Sequence, residues 1–375
     1  MKIGILTLPF HTNYGGILQA WALQTVLERM GHEVKVLDRP WKNVKEPQWY
    51  KWIYLLPKRI LRNLLKLENR TIFIERNINY ELQVICQHTN AFVNKYILSR
   101  KFNDFSEISE REFEALVVGS DQVWRKWCFG ENRIYQAYLD FAKGWSIKRI
   151  AYAPSFGIDL WDYTEEQTIH CGELLRMFNA VSCRENKGVE FCKDHFNVKA
   201  ELVVDPTLLL RKDDYIELIK NTNKSRGNLM CYVIDEDEKK TEIVKQISKI
   251  SGLTLFRANS KAEDRSGRFS LKDRIQPPVE SWLKGFYDAE MVITDSFHAC
   301  IFSIIFNKPF WVIGNKDRGM SRFYSLLEMF DLESRLIDVN TENINFAENI
   351  NWEGINSKLE KLRCDSFVFL ENALN

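Results

Sequence analysis

A histidine placed where a strand gives way to a helix is the first residue in this sequence that can move a proton. In Val292-Ile293-Thr294-Asp295-Ser296-Phe297-His298-Ala299-Cys300 the apolar run ends at Thr294, and helical spacing begins near Phe297. His298 then falls in the first turn of an apolar helix, facing a crevice at the strand ends. A helix N-terminus weakens the hold of an imidazole on its proton and a bound anion restores it, so the position suits a proton donor. Asp295 and Ser296 stand beside it as polar groups for a substrate. The competing reading is a histidine of the core.

Cations come next. Lys308 follows the apolar helix, and Lys316, Arg318 and Arg322 crowd the loop Asn315-Lys316-Asp317-Arg318-Gly319-Met320-Ser321-Arg322. Three cations in that loop make either an anion clamp or a solvated basic loop. Arg184, in Ser182-Cys183-Arg184-Glu185, emerges where another strand ends. It binds phosphate or carboxylate there, or pairs at the surface with Glu185 or Glu190. Three further strand ends carry polar or small residues: Asn13-Tyr14-Gly15-Gly16, Gly119-Ser120-Asp121-Gln122-Val123-Trp124 and Ala153-Pro154-Ser155-Phe156-Gly157. Gly15 and Gly16 allow backbone to approach a ligand at a helix N-terminus. Asn13, Ser120, Asp121 and Ser155 are candidate substrate contacts, with helix capping as the simpler role.

The elements that position these residues follow from alternating strand and helix signals. Strands are expected at Ile3–Leu8, Glu33–Asp38, Ala115–Ser120, Arg149–Ser155, Ala180–Arg184 and Leu202–Asp205. Helices are expected at Ile17–Met30, with Gly31 as its stop, and at Glu165–Phe178. A second series runs through strands Leu229–Asp235, Thr254–Arg257, Met291–Thr294 and Phe310–Gly314, with helices Glu238–Ser251, Val279–Ala289 and Phe297–Phe306 between them. The pattern predicts an α/β fold of two doubly wound Rossmann-like domains facing a cleft. Residues 1–208 form the first domain and 209–345 the second, and a C-terminal helix in 346–375 packs back.

A helical insert over 41–110 interrupts the first domain. Its part 41–70 holds eight Lys/Arg against two Glu, interleaved with Trp41, Trp49, Tyr50, Trp52 and Tyr54. Lys58–Leu67 reads as a basic amphipathic helix. Either Ile60, Leu61, Leu64 and Leu65 are buried on the domain, or the segment makes peripheral contact with an anionic membrane through Lys51, Lys58, Arg59, Arg62 and Lys66.

Composition narrows the function classes. With 52 basic and 51 acidic side chains among 375 residues, the net charge of +1 argues against a general nucleic-acid binder. The hydrophobic share of 45% excludes disorder. The N-terminus lacks a secretory pattern and no run of about 18 apolar residues occurs, so a cytoplasmic location is expected. The eight cysteines form no CxxC pair, which predicts reduced thiols and no metal centre.

At these residues the chain resembles the polysaccharide pyruvyl transferase family. The resemblance rests on Asn13-Tyr14-Gly15-Gly16, Gly119–Trp124, Ser182–Glu185, Val204-Asp205-Pro206-Thr207 and Thr294–His298, in that order. It implies a fold similar to GT-B glycosyltransferases, with the acceptor on the first domain and phosphoenolpyruvate on the second. It further implies transfer of pyruvate from phosphoenolpyruvate to a sugar of an exopolysaccharide or capsule precursor, as a ketal, with phosphate released. No cofactor is required, and the acceptor can be lipid-linked at the inner membrane face. Carried over, His298 is the acid and Arg184 is catalytic. Lys316, Arg318 and Arg322 hold phosphoenolpyruvate, with Asn13, Gly15, Gly16, Ser120, Asp121, Ser155, Asp295 and Ser296 around the substrates. Many members read Arg-Leu-His where this chain reads Ser296-Phe297-His298, and an Asp where it has Gly16. Arg318 or Arg322 is expected to replace that Arg. A glycosyltransferase using a nucleotide sugar is the alternative, and a non-catalytic scaffold of a glycan pathway is a third.

Overall fold

Two parallel sheets carry the chain, and their strand orders decide where a ligand can sit. The computed structural model describes residues 1–40, 46–65, 72–262, 268–314, 319–339 and 349–375. The first sheet contains β1 (Lys2–Leu6), β2 (Glu33–Asp38), β3 (Ser99–Lys101), β4 (Ala115–Val118), β5 (Lys148–Ala151), β6 (Ala180–Cys183) and β7 (Glu201–Leu202). Its order is β3-β2-β1-β4-β5-β6-β7. The second contains β8 (Leu229–Tyr232), β9 (Leu255–Arg257), β10 (Met291–Thr294), β11 (Phe310–Ile313) and β12 (Leu336–Ile337), in the order β12-β11-β10-β8-β9. Every pairing is parallel. The central strands are unbroken apolar runs because helices cover both faces; all of β4, β8 and β11 is buried.

Each sheet has one place where the chain reverses its direction of winding. In the first it lies between β1 and β4, whose register brings Leu6 beside Val118. In the second it lies between β8 and β10, where Tyr232 pairs with Thr294. Loops leaving such neighbouring strand ends diverge to opposite faces and leave a crevice. The two crevices open onto one inter-domain cleft, so the expected fold of two Rossmann-like domains facing a cleft is the fold observed.

Local chemistry explains the elements that matter to the cleft. Helix Tyr14–Arg29 starts where the Asn13 side chain accepts from the Gly16 N–H at 3.2 Å, and Gly31 past its end has φ 88°. Asp205 opens the short helix Pro206–Leu209 by accepting from the Thr207 N–H at 3.0 Å, with Pro206 in its first turn. The C-terminal helix Trp352–Leu374 packs back where the two domains join: Arg363 donates to the Leu208 and Leu210 carbonyls at 2.8 and 3.0 Å, and Ser366 accepts from the Val204 N–H at 3.1 Å.

The insert differs from its sequence reading in two ways. It contributes β3 to the sheet edge, a Ser-Arg-Lys strand too short and polar to show strand alternation. Its basic helix begins earlier, at Trp52, and runs to Leu64 with Pro57 inside it. Ile60, Leu61, Leu64 and Leu65 are exposed, so burial of these four on the domain is excluded. Trp41 and Lys66 lie outside the described residues.

Candidate functional site

The strand ends of the first domain deliver a buried charged network to the cleft floor. Arg184, directly after β6, has a fully buried side chain. One guanidinium nitrogen donates to Asp205 Oδ2 at 2.7 Å and to Ser120 Oγ at 3.1 Å; the other lies 3.5 Å from Asp121 Oδ1. Ser120 Oγ in turn donates to Asp205 Oδ2 at 2.8 Å. Buried charges persist only when paired in this way. Asp121 closes the network toward the first loop, accepting from Asn13 Nδ2 at 3.1 Å, and its backbone holds φ 70°. A short acidic side chain tolerates that left-handed conformation better than most.

His298 meets this network from the second domain. Its Nε2 lies 3.6 Å from Asp205 Oδ2, an ion-pair distance rather than a hydrogen bond. Burial works to raise the Asp205 carboxyl, but His298, Arg184 and the Thr207 hydroxyl outweigh it and hold it well below the usual carboxylate range. Asp205 is therefore an anion facing the imidazole. The other side of the ring presses on helix Tyr14–Arg29: a Cβ added to Gly15 would stand 2.0 Å from His298 Nδ1. Glycine is required there because the imidazole occupies the volume any side chain would need.

Arg322, in the first turn of helix Ser321–Met329, brings a second guanidinium close to Arg184. Their Cζ atoms lie 5.8 and 4.4 Å from the centroid of the Phe297 ring. Burial, and then the charge of Arg184, pushes the Arg322 guanidinium down to about 10, while Glu185 and Asp121 oppose the shift. It stays a cation at neutral pH, in surroundings that favour a further anion. The helix that carries it is capped from the first domain, where Asp159 accepts from the Met320 N–H at 3.0 Å and the Ser321 N–H at 2.8 Å.

The cleft has a volume of about 2080 Å³. Among the expected site residues, Asn13, Asp121, Asp295, Ser296, His298 and Arg322 line it. Arg184, Ser120, Gly15 and Gly16 stand behind that lining. Arg184 touches the cleft residues Asp121 and Phe297 and so positions them. Ser155 is also set back, donating to the buried Glu185 carboxylate at 3.0 Å. Glu185 further accepts from the Phe156 and Gly157 N–H groups, so neither it nor Glu190 is the partner of Arg184. Asp295 borders the cleft with its carboxylate engaged by Lys240 at 2.7 Å and by the Ile234 and Asp235 N–H groups. Lys308 donates to the Tyr287 carbonyl and is not among the cleft residues. Lys316 and Arg318 lie outside the described residues.

Three residues had no site role in the sequence reading. Asp205 is the hub that joins Arg184, Ser120 and His298, whereas in the sequence its segment only carried the family resemblance, with no role of its own. Arg125 lines the cleft beside Asp121, its guanidinium 2.7 Å from Gln122 Oε1. His11 lines the first loop; burial pushes its imidazole down to about 4 against the charge of Asp121, so it is neutral at neutral pH. Both follow a strand end, the one signal that pointed to them.

Comparison with known proteins places the chain in a family. No curated protein matches the chain at a significant level. Solved structures similar to it include the UDP-GlcNAc 2-epimerase of Neisseria meningitidis, with 10% identity, TM-score 0.46, and coverage of 100% of this chain and 94% of that one. The UDP-GlcNAc 2-epimerase of Methanocaldococcus jannaschii gives 14%, 0.42, 97% and 93%, and a glycosyltransferase of Rickettsia africae gives 10%, 0.46, 100% and 93%. The family model for polysaccharide pyruvyl transferase matches residues 13–317, beginning at the cap of the first helix. The chain belongs to the polysaccharide pyruvyl transferase family.

Proposed function

We propose that the protein transfers pyruvate from phosphoenolpyruvate to a sugar hydroxyl pair of a cell-surface glycan precursor, as a ketal, releasing phosphate. The observation that carries this reading is His298, held between Asp205 and Gly15 at the cleft lining with Arg322 nearby. Phosphoenolpyruvate presents a carboxylate and a phosphate, which call for guanidinium groups. Arg322 supplies one from the second domain, and it packs on the ring of Phe297, the residue just before His298. It thereby takes the place of the Arg that Ser296-Phe297-His298 lacks. Arg125 supplies another from the first domain.

His298 gives a proton to the methylene carbon, and a sugar hydroxyl attacks the neighbouring carbon as the double-bond electrons move to the new C–H bond. A second hydroxyl then displaces phosphate at that carbon and closes the ketal. Of the two hydroxyl protons, one restores the imidazolium and the other leaves with phosphate. Ionised Asp205 faces the imidazolium throughout, and the cations offset charge on the departing phosphate. The scheme uses no cofactor and is assigned to the cytoplasm.

The test supplies purified protein with phosphoenolpyruvate and a galactose-type acceptor, then with UDP-sugars. Phosphate release from phosphoenolpyruvate is expected, falling about 10²–10⁴-fold in His298→Ala. Release of nucleoside diphosphate without phosphate from phosphoenolpyruvate would replace this reading with nucleotide-sugar glycosyl transfer. Turnover of His298→Ala within a few-fold of the parent would remove the histidine from the mechanism.

A further inference from the structure

The segment from Trp49 to Leu65 gathers several exposed apolar side chains in one place. A 3-10 turn, Trp49–Lys51, leads into the helix Trp52–Leu64, and neither contributes a buried residue. Ile53, Pro57, Ile60, Leu61 and Leu64 recur at i, i+4, i+7, i+8 and i+11, one stripe of a helix. That stripe faces outward: Ile53 is 73%, Leu61 56% and Leu64 74% exposed, and Trp49 beside it 81%. The opposite side is the docked one. Arg59 lies over the Trp52 ring at 5.3 Å and makes a two-pronged ion pair with Glu75 at 2.6 and 2.9 Å. This pins the segment to helix Ile74–Ile85, which lines the cleft through Leu82 and Ile85. Arg274 of the second domain pairs with Glu81 of that same helix at 2.8 Å.

Charge selects the occupant of the stripe. Lys51, Lys58 and Arg62 recur at i, i+7 and i+11 on the polar side of the helix, away from the stripe, and no acidic residue occurs from Pro47 to Leu65. A net charge of +1 for the whole chain makes this a local concentration rather than a general bias. An apolar helix face with aromatic rings at one end and cations on the polar face above it matches an anionic lipid surface: hydrocarbon below, rings at headgroup depth, phosphates above. We propose that helix Trp52–Leu64 lies in the plane of an anionic bilayer, with Ile53, Leu61 and Leu64 in the acyl boundary and Lys51, Lys58 and Arg62 on lipid phosphates. Arg59 takes no part, since Glu75 holds it. The ion pair of Arg59 with Glu75 of helix Ile74–Ile85 then sets the cleft beside the membrane, within reach of an acceptor anchored there.

The test is co-sedimentation of the full chain with phosphatidylcholine vesicles, with and without about one-third phosphatidylglycerol, at low and high salt. Binding is expected only with the anionic vesicles at low salt. Each basic residue near such a surface is worth about fivefold, so Lys51→Gln/Lys58→Gln/Arg62→Gln should weaken binding about a hundredfold. Ile53→Asp/Leu64→Asp should abolish it. These side chains are exposed, so circular dichroism and Tm should not change, which separates lost binding from lost folding. Absence of binding at low salt, or binding untouched by both variants, overturns the proposal. So does self-association that disappears in Ile53→Asp/Leu64→Asp without vesicle binding, an outcome that assigns the face to a second copy of the chain. Sedimentation needs no turnover, so its failure leaves the proposed transfer reaction standing.

Discussion

Gly15 and Asp205 decide how His298 is held, one by absence of a side chain and the other by charge. Gly15→Ala would put a methyl group 2.0 Å from Nδ1 and 2.2 Å from Cγ, so the imidazole has to move. Overpacking of this kind costs about 1–3 kcal/mol. A displacement near 1 Å lowers turnover about a hundredfold. Gly144, with nothing within 4 Å of its added Cβ, is the matched control, and Gly144→Ala should be silent. Kinetics of both variants check this; parental turnover in Gly15→Ala would separate the ring position from the chemistry. Asp205 acts on stability through pH. Its folded carboxyl is held below the unfolded value, so the stabilisation is complete above about pH 4 and is lost as pH falls below it. Asp205→Asn should lower stability at neutral pH by about 3–5 kcal/mol, because it leaves Arg184 buried with less charge opposite, and should flatten the acid limb. Thermal melts across pH 2–7, roughly the span in which carboxylates titrate, measure both effects.

Helix Ser321–Met329 brings a cation to the cleft and relies on the other domain for its start. Its first N–H groups have no side-chain cap within the element and are satisfied by Asp159 across the cleft. Those bonds also hold the Asp159 carboxyl down, against burial, which acts to raise it. Asp159→Ala should cost about 1 kcal/mol as a lost cap. It should raise KM for phosphoenolpyruvate more than it lowers kcat, because the helix presents Arg322. An unchanged KM in steady-state kinetics would show that Arg322 keeps its place without this contact.

At the scale of the whole molecule the two domains share one core. Tyr14 of the first helix is fully buried, stacks on Trp282 at 5.2 Å and donates to the Pro277 carbonyl at 2.8 Å. Trp21 and Phe302, from opposite domains, both pack against Tyr215, at 5.7 and 4.9 Å. The apolar cluster containing these rings runs without interruption from β1 to the C-terminal helix. Melting by calorimetry should therefore give a single transition. Tyr14→Ala, a truncation worth about 3–5 kcal/mol, should shift that transition as a whole. Two transitions, only one of them moved by Tyr14→Ala, would mean that the sheets unfold independently.

The sequence by itself determined most of the central strands and the end of each sheet at which chemistry collects, but not the short edge strands β3 and β12 or helix Ser321–Met329. Apolar runs that stop at Pro9, Gly119, Pro154 and Asp295 are local patterns, readable because buried parallel strands are near-continuous hydrophobic stretches and their exits are not. His298, Asn13 and Asp121 were legible for that reason. Partnership was not. Asp205 meets Arg184 and Ser120 from 21 and 85 positions away, and no periodicity links them. Gly15 read as room for a ligand, whereas the ring of His298, from the other domain, fills that room. Arg184 read as a ligand at the strand end, and the fold turned it inward to Asp205, where burial demands a counter-charge. The amphipathic pattern near Lys58 showed that one face was apolar, but only the packing of Arg59 on Glu75 decided that this face points outward. Local pattern is set by neighbours along the chain, while the partner of a buried charge is set by which strand ends the winding of the sheets brings together.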